Sequence, residues 1–159
     1  MKTVCCICLA VHGNLKCMQY AQIMAARNGG RFIDRLALEN FMSRLSGKYI
    51  TFVDFEWDTY ALPPYKGMHC LQPLPFQYSM HIKTETGISH YEYLGFSDCR
   101  EQFIQSLLTN TPKEGPIVAY NAKGAEQIRL RELQSSFPEY NEQLQNLIDR
   151  MIDLSVPFE

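Results

Sequence analysis

The clearest pattern in the chain begins at Tyr49, where "YITFVDFEWDTYALPPY" starts as an apolar run and then takes up two acids. The run predicts a strand from Tyr49 to about Trp57, and on a strand residues two apart share a face. Asp54 and Glu56 therefore face one way, and Val53 and Phe55 the other. Upstream, residues 1–35 are rich in Cys, Met, Asn and Gly and are broken by "RNGGRF", which predicts an irregular lead-in. From Leu36 the spacing of Leu38, Phe41, Met42 and Leu45 follows a helical face, with Gly47 placed to end it. After the strand, "ALPPYKGMHCLQPLP" carries four prolines in fifteen residues and must be a long connection, the kind of segment that often carries function.

Beyond that connection the period becomes two. "FQYSMHIKT" and "SHYEYLGF" alternate around "ETG" and predict a hairpin. An amphipathic helix carrying Phe103, Ile104, Leu107 and Leu108 follows, then a short strand "PIVAY" after Gly115. A further helix is expected from about Ala122 to Ser135. After Pro138 another is expected, with Tyr140, Leu144, Leu147, Ile148 and Met151 on one face. The expected fold class is thus α/β in the broad sense, an α+β mixed sheet with helices packed on it. No internal repeat or low-complexity tract interrupts it.

Composition narrows this only slightly. At 159 residues, 46% of them hydrophobic and 12% aromatic, the chain suits one domain with a substantial core, and a formal charge of −2 advertises no polyanion partner. No apolar run approaches the roughly 18 residues of a spanning helix, and "VCCICLAV" after a single Lys2 is a poor signal-peptide core. The expectation is a soluble, cytoplasmic protein with no membrane partner.

Two places carry candidate chemistry. Two carboxylates side by side on a strand repel unless a proton or cation resolves the repulsion, and a divalent cation with oxygen ligands is one solution; the alternative is a strand end where both acids are wet. In "GPIVAYNAKGAEQIRLREL", Asn121 stands between a strand and a helix and reads as an N-cap, with Glu126 in or near the first turn, where the helix dipole favours an anion. Arg129 and Arg131 read as a solvated helix face that could also touch phosphates.

Taken in order, "FVDFE" and "VAYNAKGAEQIRL" resemble the first two motifs of the DnaQ-like, or DEDD, 3′ to 5′ exonucleases of the ribonuclease-H-like superfamily. The chain is more similar still to a bacterial domain-of-unknown-function family in that superfamily, through "DFE", "LPFQYSMH", "YNAKGAEQIRLRELQSSFP" and "DLSVPF", over roughly Ile33 to Phe158. The resemblance implies a three-layer ribonuclease-H-like domain over 36–159 and Mg²⁺ or Mn²⁺ held by Asp54, Glu56 and Glu126, with Asp153 as a substitute ligand. It also implies a nucleic-acid contact at Asn121 and a RecB-like nuclease region as partner in a longer protein. Trp57 stands where those enzymes have Thr or Ser, and Glu126 where most have Asp. The last acidic motif is missing before Glu159, so weak or no nuclease activity is expected of the chain by itself. A non-catalytic module that binds nucleic acid or protein is the alternative.

The cysteines give a separate signal. Cys5, Cys8, His12 and Cys17 stand one residue short of a zinc-knuckle spacing; an iron-sulfur remnant and ordinary reduced thiols are the other readings. Cys70 and Cys99 are isolated. His69, His81 and His90 read as structural or exposed.

Overall fold

The computed structural model describes residues 17–156. By packing the chain divides into two units, one comprising residues up to Ser43 together with Val156 onward, the other Arg44–Ser155.

The first unit contains two helices, α1 (Cys17–Arg27) and α2 (Arg35–Ser43). Of the irregular lead-in expected over 1–35, the part over Cys17–Arg27 is corrected, since α1 is regular, while residues 1–16 lie outside the described residues. It stops where Gly29 and Gly30 adopt φ of 72° and 95° and the Gly30 amide donates to the Ala25 carbonyl at 2.7 Å, a left-handed helix ending. The ring of Tyr20 meets Phe32 edge-on at 5.7 Å. Helix α2 lies where the apolar spacing placed it.

The second unit is built on a five-stranded mixed sheet: β1 (Ile50–Thr59), β2 (Pro73–Lys83), β3 (Ile88–Leu94), β4 (Ile117–Ala119) and β5 (Met151–Asp153), in the order β3-β2-β1-β4-β5. Strands β1, β2 and β3 are antiparallel neighbours, whereas β4 lies parallel to β1 and β5 parallel to β4. Short turns suffice for the antiparallel strands, as between Thr84 and Gly87. Parallel pairing needs a crossover, supplied by α3 (Arg100–Asn110) before β4, and by α4 (Glu126–Ser136) and α5 (Asn141–Asp149) before β5.

All three helices pack on one face of the sheet. Val53, Phe55, Tyr78, Met80, Ile82, Ile117, Ala119 and Met151 point to that face and share a single core with Phe103, Ile104 and Leu107 of α3, Leu130 and Leu133 of α4, and Leu144, Leu147 and Ile148 of α5. Phe103 is fully buried and meets Phe55, Tyr78 and Tyr93 edge-on at 5.2–5.9 Å. On the opposite face Val118 of β4 and Ile152 of β5 are buried as well. That face leaves Phe52, Asp54, Glu56, His81, His90 and Glu92 exposed.

Two expectations about the elements are corrected. The structure adds a terminal strand, β5, to those the sequence predicts, because "MID" is buried at every position and its Met151 continues the helical spacing of α5. A three-residue strand buried at every position carries no alternation to read. Helix α4 begins at Glu126 rather than about Ala122, since residues 120–125 form a turn.

The proline-rich connection is held at several points. Leu71 N–H donates to the Tyr60 carbonyl at 2.9 Å, Gln72 reaches Ser136 Oγ at 3.4 Å, and Arg100 Nη2 donates to the Lys66 carbonyl at 3.1 Å. Arg100 is itself buried and clamped by Asp98 through two bonds of 2.7 Å. Those bonds from the guanidinium hold the Asp98 carboxyl below its ordinary value against a smaller opposing effect of burial.

Candidate active site

The strand acids sit as the period-two reading placed them. Along β1, Thr51, Val53 and Phe55 are buried and Phe52, Asp54 and Glu56 exposed, so Asp54 and Glu56 share the open face. The pairing with β2 shifts between Glu56 and Trp57, a bulge that leaves Trp57 partly buried against the core. Arg129 of α4 lies over the Trp57 ring at 5.0 Å. The same guanidinium faces Glu132: Nη2 donates to Oε1 at 3.3 Å, while Nε stands 3.0 Å from Oε2 without hydrogen-bond alignment. Arg129 is thus half-buried and paired rather than solvated, whereas Arg131 is exposed and donates to Gln127.

Glu126 is the unusual group. It is the first residue of α4, only 2% exposed, and its Oε2 has no hydrogen-bond partner. Its position follows from unequal strand lengths: β4 ends at Ala119, while β1 runs on to Thr59. The Thr51 amide bonds on the β4 side, to the Pro116 carbonyl, so the amides of Val53 and Phe55 point the same way. Beyond the end of β4 the Phe55 N–H has no strand to meet, and the Glu126 carboxylate takes that place. Burial pushes the Glu126 carboxyl above its ordinary value, and the charges of Asp54 and Asp153 push it further; the N–H groups of Glu126 itself and of Phe55 offset only part of this.

Asp153 ends β5 on the helix side of the sheet, in register with Ala119. Its Oδ2 accepts from the Lys123 amide at 3.2 Å, and its Oδ1 accepts from the Ser155 amide at 2.9 Å and hydroxyl at 2.8 Å. Burial raises its carboxyl, but these bonds outweigh burial and hold it below the ordinary value. Asp153 is therefore an ionised anchor for the turn that leads into α4, a role that no sequence signal announced.

Asn121 is corrected from an N-cap to a turn residue. Ala125 is the residue before the helix, and no side chain caps it. Asn121 has φ 55°, a left-handed value that Asn tolerates, and its carbonyl accepts from the amides of Gly124 and Ala125 at 2.9 and 3.0 Å. A Cβ on Gly124 would stand 2.6 Å from Asn121 Oδ1, so a larger residue there would displace the exposed Asn121 side chain. Both Asn121 and its neighbour Tyr120 are exposed at the end of β4.

The structure thus brings Asp54 and Glu56 onto one face and sets Glu126 within electrostatic reach of Asp54 and Asp153. Among the described residues, no three His, Cys, Asp or Glu side chains converge closely enough to hold a metal ion. Cys5, Cys8 and His12 lie outside the described residues, and Cys17 opens α1. Cys70 is exposed and Cys99 buried, each as a free thiol.

No helix of the described residues is long and apolar enough to cross a membrane. No curated protein and no solved structure matches the chain. Residues 51–159 do match a family model, described as a domain of unknown function, DUF2779, and because the match covers more than half of the chain, the protein belongs to that family.

Proposed function

We propose that this is a ribonuclease-H-like, DEDD exonuclease-type domain in which carboxylates at the carboxyl ends of β1 and β5 and the start of α4 bind a divalent cation for work on nucleic acid. The observation that carries the reading is Glu126, a buried acid with an unpartnered oxygen, pressed by two further acids. Such an arrangement is unfavourable alone and is relieved by a cation. The donors fit Mg²⁺ or Mn²⁺ in kind, being hard carboxylate oxygens. Asp54, Glu56 and Glu126 would hold it, with Asp153 contributing only by giving up hydrogen bonds it already has. When bound, the cation would supply charge stabilisation to the oxygens of a phosphodiester displacement.

The remaining residues have roles that need no cation. The Phe55 amide and the amino end of α4 favour a negative charge on Glu126. Asp153, through the Lys123 and Ser155 amides, fixes the turn that places Glu126. Tyr120 and Asn121 offer an exposed ring and an amide beside the acids, suited to stacking on a base and bonding its edge.

A second reading, a module that binds nucleic acid or protein without cleaving, is favoured by one observation: among the described residues no three donors already converge. Incubation of the protein with end-labelled single-stranded DNA and RNA in Mn²⁺, resolved on a gel, separates the two. Weak cleavage that disappears on Asp54→Asn is the expected result. Cation-dependent retention of the strand without cleavage would favour the second reading, and cleavage undiminished by Asp54→Asn or by chelator would exclude the carboxylate site.

A further inference from the structure

On the open face of the sheet, away from Glu126, His81 of β2 stands directly opposite His90 of β3. Hydrogen bonding decides how close two such side chains come. Thr84 N–H donates to the Gly87 carbonyl at 2.8 Å and Gly95 N–H to the Phe76 carbonyl at 2.7 Å. Counting by twos from either end puts the 82/89 and 80/91 pairs in the bonded positions, so 81/90 is a non-hydrogen-bonded pair, the kind whose side chains lie nearest. The two imidazole rings accordingly have centroids 4.5 Å apart.

Glu92, two residues along β3 on the same face, stands with Oε2 at 3.3 Å from His90 Nε2. A carboxylate there holds the proton on Nε2 and leaves Nδ1 of His90 with its lone pair. That is the arrangement by which a carboxylate orients a metal-ligating histidine. We infer that His81 and His90, oriented by Glu92, form a solvent-open site for a d-block divalent cation of the Zn²⁺ class.

Metal–nitrogen bonds of about 2.0–2.1 Å at a tetrahedral angle need ring nitrogens roughly 3.3 Å apart. Rings already 4.5 Å apart reach that spacing by side-chain rotation, without moving the strands. Both rings are exposed, so solvent completes the coordination shell. Among the described residues no third side chain converges on the pair, which makes the site open rather than a closed structural one. Asp54 occupies the next row of the same face, in register with Ser79 and Glu92, and adds negative potential near the cation. Imidazole ligands prefer a softer cation than carboxylates do, so the site is distinct in chemistry from the one proposed around Glu126 and does not depend on it.

The test is titration of the whole protein with Zn²⁺, read at the imidazole resonances of His81 and His90 by NMR, with the affinity taken from those shifts. A local readout keeps binding at the cysteines separate. The expected result is that both resonances move together and saturate, that His81→Ala or His90→Ala weakens the response of the remaining ring at least about ten-fold, and that Glu92→Gln weakens it several-fold. Imidazole resonances unmoved by Zn²⁺ would overturn the inference, as would an affinity at one ring that is unchanged when the other is removed.

Discussion

Glu126 shows how one residue can hold both a cost to folding and a candidate for function. Its folded-state carboxyl titrates above the ordinary value, chiefly through burial and then through Asp54 and Asp153. The folded state therefore binds the proton more tightly than the unfolded one. Its contribution is most favourable below the unfolded value, about pH 4.5, and is lost as pH rises through the folded value. In metal-free protein Glu126→Gln should consequently raise stability near pH 7 by about 1–3 kcal/mol, with the difference shrinking toward pH 4. Urea unfolding at several pH values in the presence of chelator measures it. A variant less stable than the parent at pH 7 would mean that the buried charge is satisfied by something other than a cation. The sequence made Asp54 and Glu56 legible because period two on a strand is rigid. It placed Glu126 near the start of α4 but could not show its burial, which depends on β4 stopping short of β1.

The elements were legible where periodicity was long and hidden where packing overrode it. The hairpin of β2 and β3, the face of α3 and the short β4 were all readable from alternation or helical spacing. Strand β5 is hidden by its length and by burial at every position, and the start of α4 is hidden because nothing in "YNAKGA" announces that Asn121 turns left-handed. Glycine sets another such local constraint. Gly115, just before β4, has φ 91°, and a Cβ there would collide with the Tyr49 carbonyl that precedes β1. Gly115→Ala thus meets both a disfavoured backbone angle and a steric block at the junction of the two central strands. A loss of at least about 2 kcal/mol is expected, with an unchanged denaturant slope. A loss under about 0.5 kcal/mol would mean that this junction is loose.

At the scale of the whole molecule, one sheet face carries the helices and the core, while the other bears exposed acids and histidines on a chain of net charge −2. The two faces meet electrostatically at the carboxyl end of β1, where Asp54 on one side and Glu126 on the other share a field. This division could not be read from the sequence, since the same alternation serves a sheet covered on both faces at its ends and one left open. It also explains why the acids are near one another without forming a closed cluster, so that a cation would have to draw them together. The most direct test of that account is calorimetric titration of the chelator-treated protein with Mn²⁺, set against Asp54→Asn with its fold checked by circular dichroism. Binding by the parent protein and its loss in a normally folded Asp54→Asn variant is the predicted result. Equal Mn²⁺ affinity in both proteins, or none in either, would contradict it.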